Sequence, residues 1–149
     1  MRILENKNHF IHEKVRLEHF ANKNYFDLMK SFEIPTIQKG MESEDNSMID
    51  WNMIPNHYQF FYNYEGSEEI ISAWLKKSKL TTKNYLLTYF CSADEVIKVN
   101  IDDFVRNWNS LNFAVGFQGI VYISDDGELI MEFTDDYRHE LNSNFLIKV

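Results

Sequence analysis

The sequence predicts an α+β fold: a single domain in which a largely antiparallel sheet carries about three helices packed mainly on one face. Three observations lead there. Two segments, 67–79 and 101–111, place apolar residues at helical spacing, and several short runs of Val, Ile, Tyr and Phe lie between turn signals. Only five Gly and two Pro punctuate 149 residues, too few for a flexible linker, and no segment repeats another. At 44% apolar and 15% aromatic residues, the chain has enough side-chain area for one real core, which excludes wholesale disorder.

Taken in order, Leu17, Ala21, Tyr25, Leu28 and Phe32, with Phe20 and Met29 beside them, recur at about 3.6 residues and predict a helix within 13–32. It must stop before Pro35, which lacks an amide proton and disfavours helical geometry at Ile34. The polar stretch Gln38–Asn56, with Glu42, Glu44, Asp45 and Asp50, reads as a long loop pinned by Trp51. His57–Tyr64 alternates Tyr58, Phe60 and Tyr62 against Gln59, Phe61 and Asn63, as a strand with one face on the core does. Ser67 is placed to cap a helix whose stripe is Ile70, Ile71, Trp74 and Leu75, with Lys76, Lys77 and Lys79 in the last turn, where cations complement the helix dipole.

Asn84–Cys91 and Glu95–Val99, separated by Ser92, Ala93 and Asp94, read as an antiparallel pair. Asn100 then caps a helix on which Ile101, Phe104, Val105, Trp108 and Leu111 form the buried stripe and Asp102 and Asp103 occupy the first turn. Gly119–Ser124 and Glu128–Phe133 flank Asp125-Asp126-Gly127, where Gly127 supplies the positive φ of a tight hairpin. Leu129, Met131 and Phe133 share one face of its second arm, and Ile130 and Glu132 take the other. A last strand is expected at Asn144–Lys148, with Phe145 and Ile147 inward.

Catalytic signatures are missing from the sequence, so a non-enzyme without cofactor or metal is expected. His9, His12 and His19 lie close together but form no HExxH pattern, and His57 and His139 stand alone. The single cysteine, Cys91, sits among Leu87, Tyr89 and Phe90 and reads as a small core hydrophobe; it permits no intramolecular disulfide. No GxSxG elbow and no GxxxxGK[ST] phosphate loop occurs. The doublets Asp102-Asp103, Asp125-Asp126 and Asp135-Asp136 diverge on a helix or strand and make poor general acid/base pairs. The longest apolar runs are far short of a membrane span, and Met1–Glu5 lacks the basic-then-apolar order of a secretion signal, so a soluble cytoplasmic protein is expected.

Charge is the sharper signal. The chain carries a net charge of −8, with 23 acids against 15 bases, which argues against direct binding of nucleic acid or anionic membrane. Residues 1–93 hold a net −1, residues 94–140 hold −8, and Lys148 adds +1, so the whole excess comes from 47 residues. Such a concentration costs self-repulsion, and it either attracts a basic partner or serves solubility. Asp102, Asp103, Asp125, Asp126, Glu128, Asp135 and Asp136 are the candidate partner-binding residues.

Within the same region, the run Gly119-Ile-Val-Tyr-Ile-Ser-Asp-Asp-Gly127-Glu-Leu-Ile-Met-Glu-Phe-Thr-Asp-Asp136, followed by Ser143-Asn-Phe145, resembles the hairpin and closing strand of small bacterial immunity proteins for polymorphic toxins, including those of contact-dependent growth inhibition. The resemblance implies a non-catalytic protein that binds a cognate toxin domain, often a basic nuclease, and blocks its active site. Two rivals remain open: an acidic nucleic-acid mimic, disfavoured by the near-neutral first 93 residues, and a small enzyme with a pocket of convergent polar residues. The neighbouring gene separates them: a toxin reading frame, phage context or metabolic neighbours.

Overall fold

The computed structural model describes residues 15–37, 47–62, 64–90, 92–114, 120–135 and 139–147. Seven strands, all paired antiparallel, form one sheet: β1 (Leu17–Ala21), β2 (Tyr58–Tyr62), β3 (Tyr85–Phe90), β4 (Ser92–Asn100), β5 (Ile120–Ser124), β6 (Ile130–Asp135) and β7 (His139–Ser143). Their spatial order is β1-β4-β3-β5-β6-β7-β2. Three helices accompany them: α1 (Tyr25–Ser31), α2 (Tyr64–Lys77) and α3 (Ile101–Ala114). This is the α+β architecture the sequence predicts.

Strand alternation splits the core in two. On one face α2 and α3 lay Ile71, Leu75, Phe104, Trp108 and Leu111 over Leu86, Val99, Tyr122, Met131 and Phe133. Trp108 stacks on Phe133 with centroids 5.5 Å apart, meets Tyr62 edge-on, and donates its indole N–H to Ser72 Oγ at 2.9 Å. On the other face α1 sets Tyr25, Leu28 and Met29, with Ile34, Ile49 and Trp51, over Leu87, Val96, Val121, Ile123 and Ile130. The hydroxyl of Tyr25 donates toward the carbonyls of Leu87 and Val121, satisfying a polar atom beneath the helix.

The cap of α3 is as expected: Asn100 Oδ1 accepts from the Asp103 amide at 3.3 Å. A kink at Asn107 follows from its side chain, which donates to the Asp103 carbonyl and competes with the backbone ladder. At the β5–β6 turn Gly127 has φ +79°, and a Cβ there would collide with the Phe32 ring.

Five expectations are corrected. The helix within 13–32 is a strand followed by a short helix, because Leu17–Ala21 pairs with the long strand β4, and Asn24 caps α1 through Oδ1 to Phe26 N at 2.9 Å. The next helix starts at Tyr64, so Ser67 lies inside it rather than at its cap. Trp74 is only half-buried and Ile70 is 50% exposed, whereas Ile71 and Leu75 are buried. Ser92–Asp94 belongs to β4 rather than to a turn, and the closing strand is His139–Ser143, with Phe145 and Ile147 buried beyond its end. Cys91, His9, His12 and Asp136 lie outside the described residues.

Candidate functional site

Five of the seven acidic residues singled out from the sequence, Asp102, Asp103, Asp125, Asp126 and Glu128, lie at one end of the sheet, whereas Asp135 sits at the other end of β6. The start of β3 lies between the start of α3 and the β5–β6 turn: Ile101 N bonds to the Asn84 carbonyl and Asp125 N to the Tyr85 carbonyl. Asp102 and Asp125 are exposed at this end of the sheet. The other carboxylates there are neutralised by the chain itself. Asp103 accepts from the Arg16 amide at 2.8 Å and from Arg16 Nε at 2.7 Å; burial opposes its charge, but the Arg16 hydrogen bonds outweigh burial and hold its pKa below the usual range. Asp126 pairs with Lys83 at 2.5 Å and accepts from Ser124 Oγ at 2.7 Å, Lys83 being the larger reason that its pKa falls to about 2. Glu128 meets Lys79 at 2.6 Å and Lys83 at 3.1 Å, which also lowers its pKa. Asp135 ends β6, while Asp136 lies outside the described residues.

Arg16, Lys79 and Lys83 thus come from the near-neutral first 93 residues to meet the acidic segment. With Arg106, whose Nε donates to the Asp102 carbonyl at 3.3 Å, four cations share this end of the sheet with five carboxylates. Exposed pairs of this kind add little stability, but they cancel most of the local field.

A second cluster lies where the α1 face turns polar. Register aligns Gln59 of β2, Asn142 of β7 and Glu132 of β6 in one row, with Thr134 and Glu140 in the next. Residues 47–57 cross over this half of the sheet and enclose a groove of about 300 Å³ with Ser47, Asp50, Trp51, Asn52, His57, Gln59, Glu140 and Asn142 on its walls. The rings of Trp51 and His57 stack, with centroids 4.9 Å apart and planes 18° from parallel. His57 Nε2 donates to Asn142 Oδ1 at 2.6 Å, and Asn142 Nδ2 donates to Glu140 Oε1 at 2.8 Å. Gln59 Nε2 donates to the same Glu140 oxygen.

Beneath the groove wall Glu132 is fully buried. Its Oε2 accepts from the Met48 amide at 2.6 Å, and its Oε1 accepts from Trp51 Nε1 at 2.8 Å. The Ser47 hydroxyl lies within bonding distance of Glu132 Oε1 and of the Ile49 carbonyl, the latter at 2.9 Å. A neutral carboxyl that donates to Ser47 Oγ, while Ser47 donates to the Ile49 carbonyl, gives each of these contacts its own proton. Burial dominates, and it raises the pKa of Glu132 to about 7 despite the donors from Ser47, Met48 and Trp51.

The sequence showed Ile130 and Glu132 on the face opposite Leu129, but nothing marked the groove. Its signal was the same alternation in Glu140 and Asn142, concealed because the closing strand was placed five residues too late. His57, read as standing alone, belongs to this cluster. His19, by contrast, pairs with Glu95 at 2.8 Å on the far edge of the sheet. Among the described residues no group of three His, Cys, Asp or Glu side chains is arranged to hold a metal ion, and no helix is long and apolar enough to cross a membrane.

No family model, curated protein or solved structure matches the chain. Function therefore rests on the two clusters and the charge map.

Proposed function

We propose that this chain is a cytoplasmic immunity protein, which binds a cognate basic toxin domain of the nuclease type and covers its active site. The observation that carries the reading is the groove. It gathers Asp50 and Glu140, and among the described residues no Lys or Arg lines it or pairs with these two carboxylates. Uncompensated negative charge in a concave, partly water-excluded surface favours a cationic partner. The exposed carboxylates Asp102 and Asp125 add a weaker field at the end of the sheet.

The test is growth protection against the toxin domain encoded beside this gene, together with a binding titration at low and high ionic strength. Protection and salt-sensitive binding are expected. Failure to bind a basic toxin domain at low salt overturns the reading.

One observation favours a second reading, a small hydrolase. His57, Asn142 and Glu140 form a hydrogen-bonded chain of the kind that orients a general base. Against it, the one hydroxyl among the described groove residues, that of Ser47, is engaged by Glu132 and Ile49. A hydrolytic activity abolished by His57→Asn in a protein that does not protect against the toxin selects this alternative.

A further inference from the structure

We infer that the groove between residues 47–57 and strands β7 and β2 is a receptor for a guanidinium group, supplied as an arginine side chain by the partner domain. The source of the arginine rests on the immunity reading; the chemistry of the groove does not.

Glu140 is only 7% exposed, and a buried carboxylate without a cation is costly unless its lone pairs are filled. Both amide donors, from Gln59 and Asn142, go to Oε1, which leaves Oε2 without a donor among the described residues. Beside Glu140 in register on the neighbouring strand, the Thr134 hydroxyl is buried with no hydrogen-bond partner among those residues. Asp50 adds a second carboxylate and Asn52 an amide oxygen on the wall. Among the described residues the lining itself, Asp50, Asn52 and Glu140, is rich in acceptors and holds no Lys or Arg, which asks for a ligand with several donors and a positive charge.

The wall selects among cations. His57 is exposed and backed by the buried Trp51 ring, and a planar guanidinium stacks on its outer face while its five N–H groups reach several acceptors at once. A lysine ammonium is a compact, strongly hydrated point charge that gains less from a flat wall. The volume, about 300 Å³, suits a side-chain head group rather than a helix or strand.

The test uses the full chain labelled with ¹⁵N and follows the indole N–H of Trp51, which borders the groove and bonds to Glu132. Nα-acetyl-arginine methylamide, its lysine counterpart and the neutral citrulline counterpart are titrated separately. A saturable shift is expected for arginine, about fivefold weaker binding for lysine, and no saturation for citrulline. Glu140→Gln is expected to weaken arginine binding about tenfold, and Asp50→Asn, on the half-exposed wall, by a smaller factor that remains readable if the Glu140 variant fails to fold. No saturable shift, equal binding of citrulline or lysine, or unchanged binding in the folded variants overturns the receptor.

The toxin domain supplies the second arm. If the double variant Asp50→Asn, Glu140→Gln binds it as tightly as the native chain, an arginine of the partner is not the ligand and the inference fails, whereas the immunity reading survives. If the arginine analogue binds and the toxin domain does not, the receptor stands and the immunity reading falls.

Discussion

Glu132 gives the sharpest prediction, because its environment fixes both the sign and the size of a pH effect. Its carboxyl has an ordinary pKa of 4.5 in the unfolded chain and about 7 in the fold. Between those values the folded protein holds a proton that the unfolded chain has released, so stability falls as pH rises from about 4.5 to 7 and levels off above. A difference of 2.5 units corresponds to about 3 kcal/mol, or roughly 6 to 12 °C in Tm for a domain of this size. The assay is urea unfolding from pH 5 to 8 for the native chain and for Glu132→Gln. Gln retains an acceptor for Trp51 but turns an N–H toward the Met48 amide, which costs about 1–3 kcal/mol at any pH in this range. Other titrating groups cancel in the comparison, so the native chain's advantage over the variant should shrink by about 2.5 kcal/mol from pH 5 to 8. A difference that does not change with pH refutes a neutral Glu132 in the fold.

The remaining predictions concern packing and charge. Trp108→Ala should cost about 3–5 kcal/mol in urea unfolding, since the ring is fully buried and stacked on Phe133. Gly127→Ala should lose more than about 1 kcal/mol, because an L residue is strained at φ +79° and the new methyl meets the Phe32 ring; the companion Phe32→Ala, Gly127→Ala double variant should show smaller coupling loss in a double-mutant cycle. The Asp126 carboxyl should titrate near 2 by NMR and return toward 3.8 in Lys83→Ala. Charge reversal at Asp125, Asp126, Asp135 and Asp136 together should slow capture of the toxin domain and change its salt dependence; unchanged values in that variant remove these carboxylates from the interface.

Legibility in the sequence followed the range of the interactions. Helix α3 and the β5–β6 hairpin were readable because their signals are local: Asn100 caps three residues ahead, and Gly127 adopts the positive φ its turn requires. The segment 17–21 was misread because its apolar spacing suits a helix, while the partner that makes it a strand lies nearly eighty residues away in β4. Strand β7 was missed for a related reason. His-Glu-Leu-Asn-Ser has weak intrinsic strand preference, and only pairing with β6 on one side and β2 on the other holds it extended. The groove depends on that strand, so misplacing it concealed Glu140 and Asn142 together.

Charge shows the same limit from the other side. Counting residues located the acidic excess in 94–140, but a count has no knowledge of topology. Arg16 reaches Asp103 across 87 residues, and Lys83 reaches Asp126 and Glu128 across 43 and 45. These contacts cancel the segment's charge where it is densest in the sequence. The groove carboxylates without a cationic partner among the described residues instead come from separate places: Asp50 from a connecting segment and Glu140 from β7. Glu140 is buried, where the field is screened least and a cation gains most from arriving. The position of a binding surface therefore follows from which acids the fold leaves unmatched, not from which stretch of chain contains the most of them.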